Sequence, residues 1–352
     1  MQAEVVIVGA GLAGLALAHT LHAEGRTVQV LEARPRVGGR ILSEGDFDLG
    51  PSWVWPTLQP HMAAWIAAHG LRTYEQHSAG ALQFEAADGS MQTYAAGLAQ
   101  EPPSQRLLGG SAALLAPLPA LQCAGLIQTS AAVQALHLHA DGVEVIAQTA
   151  TGVRHWQTQR VVLALPPRLI ASMAFDPPLP ANMCSRLAAV PTWMAGQAKF
   201  VVRYAQPFWR AAGYSGAAFS QRGPIGELHD ATLPDGRTAL TGFLAWPAAL
   251  RAAQADLPGA IVAQLQRLFG PAAAQPLALR VQDWALEAFT ATPADSAAAP
   301  REHPDYAPLA LPEPWRARAL LAGSEVAPDF GGYLEGALQA AAAAHAALDM
   351  AD

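Results

Sequence analysis

Apolar positions along this chain follow two periods, and the first forty residues show both. Residues 4–8 (Glu-Val-Val-Ile-Val) are a β-branched run, which predicts a strand buried on both faces. From Leu12 to Leu21 the apolar and small residues recur at helical spacing, and Gly25 stands where a helix C-terminus favours glycine. A second strand is expected over 28–31, ending in Glu32. Further on, the pattern predicts a helix over 60–69, short polar strands at 82–84 and 91–94, and a helix over 112–121. Strands over 126–133, 133–138, 143–148 and 154–156 follow, with Asp141-Gly142 and Thr151-Gly152 as turns. Residues 160–165 are continuously apolar and are stopped by Pro166 and Pro167, as in a buried parallel strand. In 198–204, strict alternation puts Lys199, Val201 and Arg203 on one face and Phe200, Val202 and Tyr204 on the other. Strands at 214–219, 226–229 and 239–245 continue that sheet, a helix is expected over 257–269 and a strand over 281–284. Residues 290–308 read as a loop, 320–325 as a strand entering a turn at Glu325, and a last helix opens at Leu334 and runs to about 348.

Gly9, Gly11 and Gly14 fall between the first strand and the first helix at G-x-G-x-x-G spacing. Gly9 permits a tight turn, Gly11 lets backbone approach a pyrophosphate, and Gly14 lets helix and strand pack closely. Leu12 and Ala13 open the helix, whose free N–H groups and dipole favour an anion. Glu32 lies 23 positions after Gly9, where an acid accepts hydrogen bonds from a ribose. This unit binds a dinucleotide, and by itself it does not choose between NAD and FAD.

Composition narrows the class. A chain of 352 residues carries either two interleaved domains or one large one, and its net charge of −7 argues against nucleic acid or an anionic membrane as a partner. Two cysteines, Cys123 and Cys184, suggest neither a disulfide framework nor a metal cluster. With the first strand beginning almost at Met1 and prolines interrupting the longest apolar stretch, no cleaved leader and no membrane span are expected, so a soluble cytoplasmic location is the default. Of 21 basic residues only Lys199 is lysine. A chain that otherwise uses arginine throughout keeps an ammonium for a reason.

Residues 32–40 (Glu-Ala-Arg-Pro-Arg-Val-Gly-Gly-Arg) and 48–52 (Asp-Leu-Gly-Pro-Ser) resemble the flavin amine oxidase family, which includes monoamine and polyamine oxidases. Further pieces occur in the family's order: Leu107 to Ser111, Val161 to Pro167, Lys199, Trp284, Leu320 to Glu325 and Gly331 to Ala337. The resemblance implies an α/β fold in which a Rossmann-type FAD-binding domain (1–58, 104–178 and 285–352) is interleaved with a smaller mixed-sheet α+β substrate domain with a reduced cap (59–103 and 179–284). It implies that Glu32, Ala33 and Arg34, then Gly38, Gly39 and Arg40, then Leu49, Gly50, Pro51 and Ser52 lie along FAD, with Arg40 neutralising diphosphate charge. Val133 would meet adenine through its backbone, and Gly323, Glu325, Gly332, Tyr333 and Leu334 would surround the ring, with the helix N-terminus at Leu334 facing its electron-rich end.

Lys199 matches the family lysine that holds a water beside the flavin, and Tyr333 matches one wall of its aromatic cage. Trp284 leads toward the ring, and Trp53 or Trp55 would wall the site. The second cage aromatic falls near Pro293 or Ala294, so Trp284, Phe289, Trp53 or Trp55 would have to replace it. His229 is a candidate pocket residue. Neither cysteine lies in 289–299, so a non-covalent FAD is expected. The implied activity is oxidation of a small amine, with dioxygen or another acceptor taking the electrons. A renalase-like oxidase of reduced nicotinamides, a desaturase-like enzyme and a non-catalytic flavin-binding partner protein are the alternatives. The oligomeric state is not indicated.

Overall fold

The computed structural model describes residues 2–95, 97, 99–115, 125–297 and 302–350. Two sheets dominate. The first has the order Ala174–Asp176, Ala131–Leu138, Val143–Thr149, Gly152–Leu163, Gln2–Val8, Val28–Leu31, Ile127–Gln128, with Ala319–Leu321 also pairing with Gly152–Leu163. Val5, Val6 and Ile7 are wholly buried, as a strand covered on both faces requires. The helix Leu12–Ala23 is apolar nearly all round and is sandwiched between this sheet and the closing helix Leu334–Asp349.

The segments expected as separate strands at 154–156 and 160–165 are one strand, Gly152–Leu163. Its first half pairs antiparallel with Val143–Thr149, and its second half runs parallel to Gln2–Val8 and Ala319–Leu321. The break that the polar residues 157–159 suggest is a change of neighbours and not of conformation. Conversely, the expected strand 126–133 is interrupted at Thr129-Ser130, where Ser130 adopts φ +52° and redirects the chain.

The second sheet runs Ala278–Asp283, Ala198–Tyr204, Thr238–Leu244, Ile225–Asp230, Tyr214–Ser220, Ala81–Glu85, Met91–Tyr94. Phe200, Val202 and Tyr204 pack on the helix Leu257–Phe269, while Val201 joins Phe47 and Leu49 on the opposite face. The alternation therefore separates a core face from a face turned to the 47–52 segment, and Lys199 belongs to the latter.

Other boundaries shift. The strand before Trp284 ends at Asp283, whose carboxylate caps a short 3-10 turn. The strand before Glu325 ends at Leu321 and a 3-10 turn follows. The stretch read as loop contains the helix Pro293–Ala297, closed on itself by Asp295, which accepts from the Thr292 amide and hydroxyl. Of the helix expected over 112–121, Ser111–Leu115 is a 3-10 turn and the remainder lies outside the described residues. None of the described helices is long and apolar enough to cross a membrane.

Candidate active site

A single cavity of about 590 Å³ runs from the glycine turn at Gly9 and Gly11 to the second sheet at Lys199 and Phe243. At its first end the glycines take distinct positions. A Cβ on Gly9, at φ +103°, would meet Ala164 O at 2.6 Å, and one on Gly14 would meet Gly9 O at 2.0 Å, so both seal the strand–helix joint. A Cβ on Gly11 would meet nothing within 4 Å. Gly11 therefore borders open space at the N-terminus of Leu12–Ala23, where free amide groups suit an anion.

Glu32 is buried, and its Oε2 accepts from the Ala10 amide at 2.8 Å while its Oε1 accepts from the Arg34 amide at 2.9 Å. These bonds fix the carboxylate against the glycine turn and leave lone pairs for a further donor. Arg34 is anchored by Glu287 and by the Thr290 hydroxyl, and its guanidinium lies over the Phe289 ring at 5.6 Å. Gly38 and Gly39 both have positive φ, and Gly39 comes to Gly11 so closely that a Cβ would lie 3.1 Å from its Cα.

Arg40 reaches across the cavity. Its Nη2 donates to Ser324 Oγ at 2.8 Å and to Glu325 Oε2 at 3.1 Å, and its Nη1 donates to Trp193 O at 3.3 Å. Burial works against its charge, but adjacent Glu325 more than offsets this and holds its pKa above the usual arginine value.

At the other end, Lys199 is buried and donates to Gly50 O at 2.6 Å and to the Ser52 hydroxyl. Burial lowers its pKa to about 7, with Asp48 opposing and Arg106 adding to the fall. Trp53 and Phe243 flank the ammonium, at 5.5 and 5.6 Å from the two ring centres. Trp53 is itself fixed by donating from Nε1 to Gln76 Oε1 at 2.8 Å, and His229 meets it edge-on at 5.0 Å. Trp284 donates from Nε1 to Leu49 O at 3.0 Å, which locks the second sheet to the 48–52 turn.

Tyr333 stands at the mouth, stacked on His303 at 5.0 Å and beside Trp193 at 6.1 Å. Burial raises the pKa of its hydroxyl, and a hydrogen bond from Trp193 opposes this.

Of the residues expected at the site, Gly9, Gly11, Leu12, Ala13, Glu32, Arg34, Gly38, Gly39, Arg40, Gly50, Pro51, Ser52, Lys199, Trp284, Gly323, Glu325, Gly332, Tyr333 and Leu334 line this one cavity, with Trp53, Trp55, Phe289 and His229. Gly14, Ala33, Leu49 and Val133 do not. Gly14 sits beneath the glycine turn, Leu49 accepts from Trp284, Ala33 follows Glu32 in the turn, and Val133 is a half-buried residue paired with Ala147. Pattern reading missed Trp193, Gln76, Glu227 and Phe243. Trp193 was detectable as a large aromatic six residues before the only lysine. The others enter through strand pairing, which leaves no local mark.

Residues 100–348 match the family described as "Flavin containing amine oxidoreductase", and residues 7–68 match an NAD(P)-binding Rossmann-like domain. Putrescine oxidase of Kocuria rosea is 46% identical over 98 residues, covering 27% of this chain and 20% of that protein. The flavin-containing amine oxidase B of Bos taurus is 24% identical, over 96% of this chain and 84% of the other. Matches to the first three curated relatives span only 20%, 40% and 52% of their lengths. Among solved structures, wild-type putrescine oxidase bound to putrescine superposes with a TM-score of 0.80 at 21% identity, covering 99% of each chain. Cyclohexylamine oxidase from Brevibacterium oxydans IH-35A gives 0.81 at 20%, with the same coverage. At such identities these likenesses establish the fold.

Proposed function

The chain belongs to the flavin-containing amine oxidoreductase family, and from that premise we propose that it is an FAD-dependent enzyme that oxidises a small amine and passes the electrons to dioxygen or another acceptor. The observation that carries this reading is the continuity of one cavity from the dinucleotide turn to Lys199 and Tyr333. The residues present fit FAD: open space at Gly11 adjoins a helix N-terminus, a buried acid stands at ribose distance along the chain, and the far end is walled by indole and phenyl rings. When bound, FAD supplies the two-electron sink.

The protein's own residues orient and hold charge. Gly9, Gly11 and the amides opening Leu12–Ala23 would receive the diphosphate, Glu32 the ribose, and Arg40 a share of the phosphate charge. The N-terminus of the 16-residue helix Leu334–Asp349 opens on the cavity, and its dipole favours negative charge there. An ammonium has three hydrogens; Lys199 commits two to Gly50 O and Ser52 Oγ, which leaves one for a water or ligand in the cavity. Tyr333 and Trp193 form an aromatic wall that excludes water from an uncharged amine. No cysteine lines the cavity among the described residues, in keeping with a non-covalent cofactor.

The test is direct. The purified protein is expected to carry or take up FAD, and anaerobic addition of a panel of primary amines is expected to bleach its visible absorbance. A protein that takes up FAD but is bleached by NADH and by no amine refutes the amine assignment.

A further inference from the structure

One row of side chains crosses the second sheet on the cavity side. Lys199 pairs with Phe243, and Phe243 pairs with Glu227 on the next strand, so the three residues stand side by side. Two strand spacings put Glu227 roughly 10 Å from Lys199 along the row. His229 lies two residues beyond Glu227 and therefore on the same face. Its Nε2 is 2.6 Å from Glu227 Oε1, and both residues line the cavity. A carboxylate only accepts, so Nε2 carries the hydrogen and Nδ1 presents a lone pair; no described residue donates to it. The imidazole is held between the Trp53 edge at 5.0 Å and Phe219 at 6.5 Å, with its side chain 12% exposed. The cationic groups nearby are Lys199 across the row and Arg106 against Trp53, and Glu75 and Glu101 are further acidic residues lining the same cavity. Asp230 turns away, to Trp209 and Arg210.

We propose that His229, oriented by Glu227, is a catalytic base that takes the proton from the substrate's ammonium group and so delivers the neutral amine to the oxidation site. This deepens the amine reading and rests on it. The step balances: the N–H bond of R-CH2-NH3⁺ breaks, its electron pair stays on nitrogen, the proton bonds to Nδ1, and the imidazolium so formed is countered by the Glu227 carboxylate. No electrons are exchanged with the protein. An ordinary alkylamine needs such a step because, with a pKa near that of lysine at ~10.4, only about one molecule in 2,500 is neutral at pH 7.

The experiment is anaerobic stopped-flow reduction of wild-type, His229→Gln and Glu227→Gln holoenzyme. Each is mixed with a primary alkylamine and, separately, with a weakly basic fluorinated alkylamine that is uncharged at pH 7. For His229→Gln, reduction by the alkylamine at pH 7 is expected to fall about 100-fold and to recover as the pH is raised toward 10. The rate with the fluorinated amine is expected to change by less than about threefold, since no proton has to be removed from it. Glu227→Gln should show the same selectivity with a smaller loss. In parallel, imidazole nitrogen NMR with tert-butylamine, which has no oxidisable C–H beside nitrogen, should show Nδ1 of His229 gaining a proton.

Equal loss with both amines, no loss with either, or an Nδ1 that stays unprotonated overturns the base assignment while leaving the amine reading intact. If no amine reduces the wild type, the amine reading itself falls and takes this inference with it; unchanged thermal melting and flavin absorbance identify folded variants.

Discussion

Lys199→Met tests the central electrostatic feature of the site. Burial brings the lysine from 10.5 to about 7, while the unfolded chain keeps its proton to the ordinary value. Between these values the unfolded state binds the extra proton, so stability rises with pH across that window. Below pH 7 both states are protonated and the cost of the buried charge is present in full; above about 10.5 it has gone. Each pH unit inside the window is worth 1.36 kcal/mol, so wild type should gain about 4 kcal/mol on the methionine variant between pH 7 and 10. Methionine keeps an unbranched apolar stem but leaves Gly50 O and the Ser52 hydroxyl without their donor, a penalty of about 1–3 kcal/mol that does not vary with pH. The measurement is urea denaturation of both proteins at several pH values, taking the difference between them at each. A difference that stays flat from pH 7 to 10 refutes the neutral, buried lysine, whatever its absolute size.

Lys199→Met is further expected to slow flavin reoxidation by oxygen more than reduction by substrate, and equal slowing of the two in stopped flow removes the water-holding role. Gly11→Ala should fold with unchanged thermal stability but bind FAD at least about tenfold more weakly, since its methyl group enters open cavity space where backbone approaches the cofactor. Gly14→Ala, whose methyl group would meet Gly9 O at 2.0 Å, should instead lose about 1–3 kcal/mol or more of stability in urea titration. Asp295→Ala should cost about 1–3 kcal/mol in urea titration, because it removes the carboxylate partner of half-buried Arg168 and leaves the buried Thr192 amide without its acceptor; a variant as stable as wild type would show that this tie is dispensable.

Glu335 illustrates how widely separated segments are joined at the site. It is buried in the first turn of the closing helix and accepts from the amides of His61 and Met62, at 3.0 and 2.7 Å, supplying the cap that the helix Pro60–Ala68 lacks locally. That contact fixes the N-terminus beside Tyr333 against the helix Pro60–Ala68. Nothing in residues 59–62 announces it.

Local physical chemistry was enough to determine the dinucleotide turn. A wholly apolar strand, glycines whose missing side chains make room for a helix and an anion, and an acid at ribose distance are features of adjacent residues, and they occur together from Glu4 to Glu32. The alternation around Lys199 likewise determined that the single lysine leaves the core face. Tertiary structure alone decided what surrounds that lysine. Asp48 and Arg106, which pull its proton affinity in opposite directions, come from the short strands Phe47–Asp48 and Gln105–Leu107, about 90 to 150 residues away, and the row of Lys199, Phe243 and Glu227 exists only because three strands pair in one register. Trp193 and His303 reach Tyr333 across more than 100 and about 30 residues of chain. Periodicity reports which way a side chain points from its own strand or helix; it carries no information on which other strand lies alongside, and in this protein it is that neighbour that sets charge, burial and the shape of the cavity.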